Sequence, residues 1–162
     1  MSAGTGILHS EKNDSWRFDG ATGIHAQQHD DPVHFIQMWV VPDEAGITPG
    51  YEQLEIDHDL LSGGLVPVAS GMKQYAHHSA IRIANKYAAM HVARMQPGQA
   101  SITLPDAPFL HVFVARGEAA MEGVGPLTEG DAVRVTGSGG QTLSTATGAE
   151  VIVWEMHATI TQ

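Results

Sequence analysis

The sequence contains no cysteine, few basic residues and no long apolar run, and each shortage excludes a class of function. Without Cys there are no disulfides, thiolate nucleophiles or Cys-ligated zinc ions. Only 8 Lys and Arg oppose 18 Asp and Glu, and the net charge of −10 disfavours direct contact with nucleic-acid phosphates. No apolar stretch approaches the roughly 18 residues that span a bilayer, and no signal-peptide pattern is present. These shortages favour a cytoplasmic protein with neither a nucleic-acid nor a membrane partner.

The apolar residues occur in short segments separated by Gly, Pro and Asp turns, which is typical of an all-β sandwich or barrel. Many of these segments are rich in β-branched or aromatic residues. No helix of three turns is expected, and Ile83–Met90 could form one or two turns at most. The predicted strands are His34–Val41, Tyr51–Ile56, Leu65–Ala69, Ile81–Ala84, Ala89–Met95, Ala100–Leu104, Leu110–Ala115, Ala119–Glu122, Ala132–Thr136, Thr142–Thr145 and Glu150–Met156.

A possible metal-binding pattern lies near residue 10, where Gly4 and Gly6 precede a short apolar segment that ends in His-Ser-Glu. In an extended strand His9 and Glu11 point to one face, about 7 Å apart. An imidazole and a carboxylate on one face can supply two ligands to a divalent metal. The alternative is an exposed strand or a frayed terminus, and the spacing alone does not separate the two.

The surrounding residues resemble a known family. Residues 4–9 (Gly-Thr-Gly-Ile-Leu-His) with Asn13 resemble the second cupin motif, P-x-G-x-x-H-x-x-x-N, with Gly4 in the place of proline. Residues 3–13 as a whole resemble the pirin branch of the cupins. The similarity continues through residues 37–42 (Gln-Met-Trp-Val-Val-Pro) and 46–53 (Gly-Ile-Thr-Pro-Gly-Tyr-Glu-Gln), and more faintly to the C-terminus.

This resemblance implies a bicupin of two cupin-type β-barrels, with one iron held in the first barrel by three His and one Glu. His9 and Glu11 match the last two ligands, whereas no H-x-H pair for the other two is found in the chain. We therefore expect residues 1–60 to be the C-terminal remainder of an incomplete first barrel, and residues 61–162 to be the second barrel. Iron, or another divalent metal, would be weakly bound or absent.

The second barrel is expected to hold no metal. Aligning its turn glycines with the cupin motifs places Leu110, Gln141 and Thr145 where the motifs have Glu, His and Asn. None of these three residues is a usual metal ligand, so a scaffold or partner-binding role is expected for this barrel.

The other histidines and the tryptophans suggest further sites. His25, His29 and His34, with Asp30 nearby, could bind zinc or nickel, and His25 and His29 would share a face if their stretch were helical. A solvated polar loop is the favoured alternative. His91 and His111 are interpreted as satisfied or half-exposed sheet residues rather than ligands, and Trp39 and Trp154 as core anchors.

The resemblance implies a quercetin 2,3-dioxygenase-like oxidoreductase that acts on a flavonol-like small molecule, with Glu11 as both metal ligand and proton acceptor. Catalysis by this chain would be impaired, because two of the four ligands are missing. The alternatives are a non-catalytic regulatory cupin that binds a protein partner, and a small-ligand or metal-binding barrel that uses His25, His29 and His34. We also expect a homo-oligomer, since an incomplete barrel would expose an apolar face that contains Ile36, Met38 and Val40.

Overall fold

A computed structural model describes residues 8–10, 17–19, 23–25, 33–56, 64–78 and 80–159, with the backbone alone for 17–19 and 23–25. Its regular structure is almost entirely β, which confirms the predicted class. The strands are β1 (Arg17–Asp19), β2 (Gly23–His25), β3 (Val66–Ser70), β4 (Ile81–Arg82), β5 (Ala88–Met95), β6 (Ile102–Thr103), β7 (Phe109–Met121), β8 (Gly125–Thr128), β9 (Ala132–Thr136), β10 (Thr142–Ser144) and β11 (Ala149–Met156).

Nine strands form one curled sheet in the order β4-β3-β5-β11-β7-β10-β6, and β8 and β9 also pair with β7. All of these pairs are antiparallel except β3 with β4. Successive side chains along each strand point to opposite faces of the sheet. The set that points to the concave face forms the apolar core. Residues at this centre are almost fully buried, among them Leu110, Val112, Leu143, Val151 and Val153.

Strand β7 is longer than predicted because it runs through a position where a turn was expected. Gly117 lies inside the strand with φ at +75°, which a residue with a side chain rarely adopts. A Cβ atom there would come 2.2 Å from the carbonyl oxygen of Gly148. The glycine therefore bends one strand instead of ending it, and the two strands predicted on either side are one strand.

The connection from β3 to β5 differs from the helical prediction. Ile83–Met90 contains no helix, and its last three residues belong to strand β5. The helical turn that does form is a short 3-10 helix at Lys73–Tyr75. No helix within the described part of the chain is long and apolar enough to cross a membrane.

Residues 33–56, called here the N-terminal segment, are extended but contain neither of the two strands predicted for them. The segment is held against the loop after β4 instead. The Asp43 amide donates to the Ala84 carbonyl at 3.0 Å, and the Asp43 carboxylate accepts from the Lys86 amide at 3.0 Å. The Asn85 side chain donates to the Val41 carbonyl at 2.9 Å.

The prediction that this segment exposes Ile36, Met38 and Val40 is wrong. Ile36, Met38 and Val40 are half-buried, and the exposed side chains are their neighbours, including Phe35 and Trp39. Because successive side chains alternate, burying one set turns the other toward solvent. The expected homo-oligomer stays a prediction. So does the domain division near residue 60, where residues 57–63 lie outside those described.

Candidate functional site: an apolar cavity beside His9

A cavity of about 550 Å³ lies between the N-terminal segment and the convex face of the sheet. The sheet side is built by Met90 of β5 and Trp154 of β11, which are register partners, and by Ala69 of β3, which pairs with Met90. Ala69 is small, so the neighbouring large side chains leave space above it. Three aromatic side chains, Phe35, Trp39 and Trp154, line the cavity.

The contact between Trp154 and the N-terminal segment explains how the cavity keeps its shape. The indole Nε1 of Trp154 donates to the Met38 sulfur at 3.2 Å. This bond satisfies a half-buried donor and joins strand β11 to a segment more than a hundred residues away in sequence. The interpretation of Trp154 as an anchor fits this position, whereas Trp39 is 76% exposed and is not a core residue.

The lining is neutral as well as apolar. Among the described residues that line the cavity, none is Asp, Glu, Lys or Arg, and the polar ones are His9, Gln37 and Asn85. A few polar groups in an apolar cavity of this size are typical of small-molecule sites. The arrangement therefore suits an uncharged ligand that is largely aromatic.

The structure places His9 at this cavity. The residue is exposed to solvent, and its ring centroid lies 6.4 Å from that of Trp39 at an interplanar angle of 52°. One predicted metal ligand thus borders the space that a small molecule could fill.

Comparisons with known proteins find relatives by sequence and by fold. No protein-family model matches the chain. A Mycobacterium tuberculosis protein named "Putative quercetin 2,3-dioxygenase Rv0181c" is 51% identical over 158 residues, which are 98% of this chain and 58% of that protein. The Escherichia coli protein named "Quercetin 2,3-dioxygenase" is 44% identical over 57 residues, covering 35% of this chain and 19% of that protein.

Solved structures give the fold. The YhhW protein of Escherichia coli superposes with a TM-score of 0.61 at 18% identity, covering 75% of this chain and 50% of that one. The bacterial pirin YhhW in complex with nickel(II) gives 0.60 at 16% identity, covering 73% and 48%. The chain has the cupin-type fold of these bacterial pirin structures. It spans about 58% of the length of the Mycobacterium relatives that it matches.

The predicted metal ligands lie partly within and partly outside the described residues. Glu11 and His29 lie outside the described residues, and His34 is exposed at the start of the N-terminal segment. His25 ends strand β2, so the helical spacing considered for it does not apply. No group of three His, Cys, Asp or Glu residues within the described ranges could hold a metal ion. The described residues therefore supply one imidazole at the cavity and do not themselves form a complete site.

The positions matched to cupin ligands in the large sheet have structural contacts. Leu110 is 1% exposed within the core. The Thr145 hydroxyl donates to the Glu118 carbonyl at 2.6 Å, and the Gln141 side chain donates to the Ser138 carbonyl at 3.0 Å. The expectation of a metal-free second barrel stays a prediction.

A buried polar cluster was missed by sequence reasoning. Glu155 is 2% exposed, and its carboxylate accepts four hydrogen bonds. Oε2 accepts from the Tyr75 hydroxyl at 2.6 Å and pairs with His91 Nε2 at 2.9 Å. Oε1 accepts from Gln74 Nε2 at 3.1 Å and pairs with His157 Nε2 at 2.8 Å. We call these five residues the Glu155 cluster.

The cluster changes the acidity of its members. Burial by itself raises the pKa of Glu155, but the hydrogen bonds from His91, Tyr75 and His157 outweigh it and lower the pKa to about 2. Burial and the neighbouring Glu155 carboxylate raise the pKa of Tyr75 to about 12. The carboxylate is thus ionised, and the phenol protonated, at neutral pH.

A sequence signal for this cluster exists. Val151 and Val153 alternate on the buried face of β11, and the same period places Glu155 on that face. His91 likewise continues the buried series of Ala93 and Met95 in β5. The interpretation of His91 as a satisfied sheet residue fits its bond to Glu155. His111 is half-buried, and burial, followed by the charge of Arg134, lowers its pKa.

Proposed function

We propose that this pirin-like protein acts as a quercetin 2,3-dioxygenase-like cupin, whose cavity binds a flat, neutral aromatic molecule of the flavonol class. The observation that carries the proposal is the position of His9, a candidate metal ligand, at an apolar cavity of about 550 Å³. The names of the relatives support the same reaction class.

The chemistry of the lining supports the substrate class. A planar polyphenol can contact the rings of Phe35, Trp39 and Trp154 through its faces and edges. Its hydroxyl and keto groups can find partners in the polar lining residues, His9 among them. An anionic substrate would meet no Lys or Arg among the described lining residues, in a protein whose net charge is −10.

Within this proposal, His9 and Glu11 are the metal ligands that the chain supplies, and Glu11 also accepts the proton of the substrate hydroxyl. A bound divalent metal would act as a Lewis acid toward the substrate oxygens. The described residues contain no complete ligand set for that metal. We propose that metal binding by this chain is weak and that turnover is impaired in consequence.

Filling the cavity is expected to weaken quercetin binding. Ala84 lines the cavity and is half-buried, so Ala84→Trp places an indole in the space that the ligand would occupy. We expect the dissociation constant, measured by calorimetric titration, to rise at least about tenfold, which corresponds to roughly 1.4 kcal/mol. Ala146→Trp, at an exposed position away from this cavity, is the control and should bind as the unmodified protein does. Equal affinities for all three proteins would place the ligand elsewhere.

Purified protein is expected to carry clearly less than one metal ion per chain after incubation with Fe²⁺ or Ni²⁺ and desalting. Too few ligands leave the remaining coordination positions to water, which weakens the affinity. Elemental analysis should show a further loss in His9→Ala and none in His34→Ala, whose imidazole is exposed and does not line the cavity. One tightly held ion per chain that survives His9→Ala would contradict the assignment and favour His25 and His29.

The second candidate is a non-catalytic protein-binding cupin. It is favoured by the exposed apolar side chains of the N-terminal segment, where Phe35 is 65%, Trp39 76% and Val41 63% exposed. Exposed apolar patches commonly mark interaction surfaces. If the unmodified chain shows no quercetin binding in the titration described above, this candidate replaces the first.

A further inference from the structure

The Glu155 cluster and the cavity occupy opposite faces of the same two strands. Met90 and Trp154 point to the cavity, whereas the next residues, His91 and Glu155, point to the concave face. This follows from the alternation of side chains along a strand. The two features are therefore separated by the thickness of one sheet.

The connector between β3 and β4, described at residues 71–78 and 80, joins the two features physically. Its 3-10 turn carries Gln74 and Tyr75, whose side chains donate to Glu155. Near its other end, the Arg82 guanidinium donates to the Ala76 carbonyl at 2.8 Å. The Arg82 amide donates to the Glu52 carboxylate of the N-terminal segment at 2.5 Å.

Strand β4 depends on this connector. It has two residues, lies at the edge of the sheet and pairs with β3 alone. One of these two residues, Ile81, lines the cavity, and so does Ile83 just after the strand. A strand this short receives little support from its own ladder, so its position is determined by the segments that hold its ends.

We propose that the Glu155 cluster positions the cavity wall: by fastening the connector to the concave face, it holds β4 and the residues after it in the place where they shape the ligand cavity. The members of the cluster are positioning residues, since none of them lines the cavity itself. The inference rests on the proposed function for the ligand, and its test separates the two.

The charge of Glu155 suits it to this task. An ionised carboxylate has no proton to donate and can accept all four hydrogen bonds, two on each oxygen. The titratable groups that face it are His91 from β5, His157 after β11 and Tyr75 from the connector. The ring of His78 lies edge-on against Tyr75 at 5.5 Å. These described residues do not form a group that could hold a metal ion.

The test compares Tyr75→Phe and Glu155→Gln with Glu150→Gln. Glu150 lies on the same strand and pairs with Arg94 at 2.7 Å, so it controls for the loss of a carboxylate on β11 without touching the connector. Tyr75→Phe keeps the ring and removes one hydrogen bond, which makes it the milder variant if Glu155→Gln folds poorly. Amide hydrogen exchange is measured along the chain, and quercetin affinity by calorimetry.

In both cluster variants we expect exchange in residues 71–83 to accelerate by about tenfold or more, with the amides of β7 and β9 unchanged. Quercetin affinity should fall by about three- to tenfold in the same variants and stay constant in Glu150→Gln. Faster exchange spread evenly over the sheet would show a purely structural role and overturn the inference. So would unchanged exchange in residues 71–83, or faster exchange there without any change in affinity.

A failure of the proposed function gives a different result. If the unmodified chain binds no quercetin, the function fails, and the inference is then judged on exchange alone. Acceleration confined to residues 71–83, including the cavity residues Ile81 and Ile83, would still support positioning of the wall. Acceleration confined to residues 71–78 would overturn it, because the wall would keep its place without the cluster.

Discussion

Replacing Glu155 with alanine is expected to lower the free energy of unfolding by about 3–5 kcal/mol, because each buried polar group that loses its hydrogen-bond partner costs about 1–3 kcal/mol. The substitution leaves Tyr75, His91, His157 and Gln74 without their shared acceptor, and the first two lie in or near the interior. For a chain of this length the loss corresponds to a fall in Tm on the order of 10 °C. Differential scanning calorimetry measures it.

Glu150→Ala is the control for this prediction. Glu150 and Arg94 form a partly exposed pair on the same strand, and such pairs contribute about 0–1 kcal/mol. If the two alanine variants unfolded at the same temperature, the cluster would not be a main source of stability, and the assignment of its hydrogen bonds would be wrong.

The contribution of Glu155 also has a defined pH dependence. Its pKa is about 2 in the folded protein against an ordinary value of 4.5, so the unfolded chain takes up the proton first on acidification. The stabilisation is therefore complete above pH 4.5 and is lost as the pH falls toward 2. The difference in stability between the unmodified protein and Glu155→Gln should shrink as the pH falls through that interval.

Replacing Gly117 with alanine is expected to destabilise the protein by more than the backbone strain alone would. The left-handed conformation costs an L-residue about 1–2 kcal/mol. The new methyl group would also lie 2.2 Å from the Gly148 carbonyl oxygen, so β7 and β11 must separate where they pair. We expect a total loss of about 3–5 kcal/mol, measured by urea unfolding.

Gly123→Ala separates the cost of backbone strain from the cost of the steric contact. Gly123 has φ at +76°, almost the same as Gly117, but an added Cβ would meet nothing within 4 Å. This variant should lose only the strain, about 1–2 kcal/mol. Equal losses in the two variants would show that the strands at Gly117 can move apart without cost, contrary to the close contact in the structure.

Much of the fold follows from the sequence because the signals are local. Strand β9 was predicted with its observed bounds, and β5 and β11 to within one residue at their first positions. These strands have apolar side chains at alternate positions and turn residues at their ends, and both signals act over a few residues. The cupin-like string ending at His9 likewise pointed to a pirin-like cupin, a resemblance that the relatives and the solved structures support.

Other features were decided by the tertiary structure. The N-terminal segment has strand-like residues, but a strand needs a partner, and at Val41 and Asp43 the segment bonds to the loop after β4 rather than to a strand. Gly117 is a typical turn residue. The chain pairs with β11 at this position, however, and therefore continues through Gly117 as part of β7. Pairing with distant residues thus overrode the local preference in both places.

The sequence by itself determined the all-β class, the resemblance to pirin-like cupins and the candidate ligands His9 and Glu11, because these depend on residue type and short spacing. Only the tertiary structure placed His9 at an apolar cavity and gathered Glu155 with residues more than sixty positions away in sequence. The energy of a buried carboxylate depends on which donors surround it, and the fold alone brings those donors together.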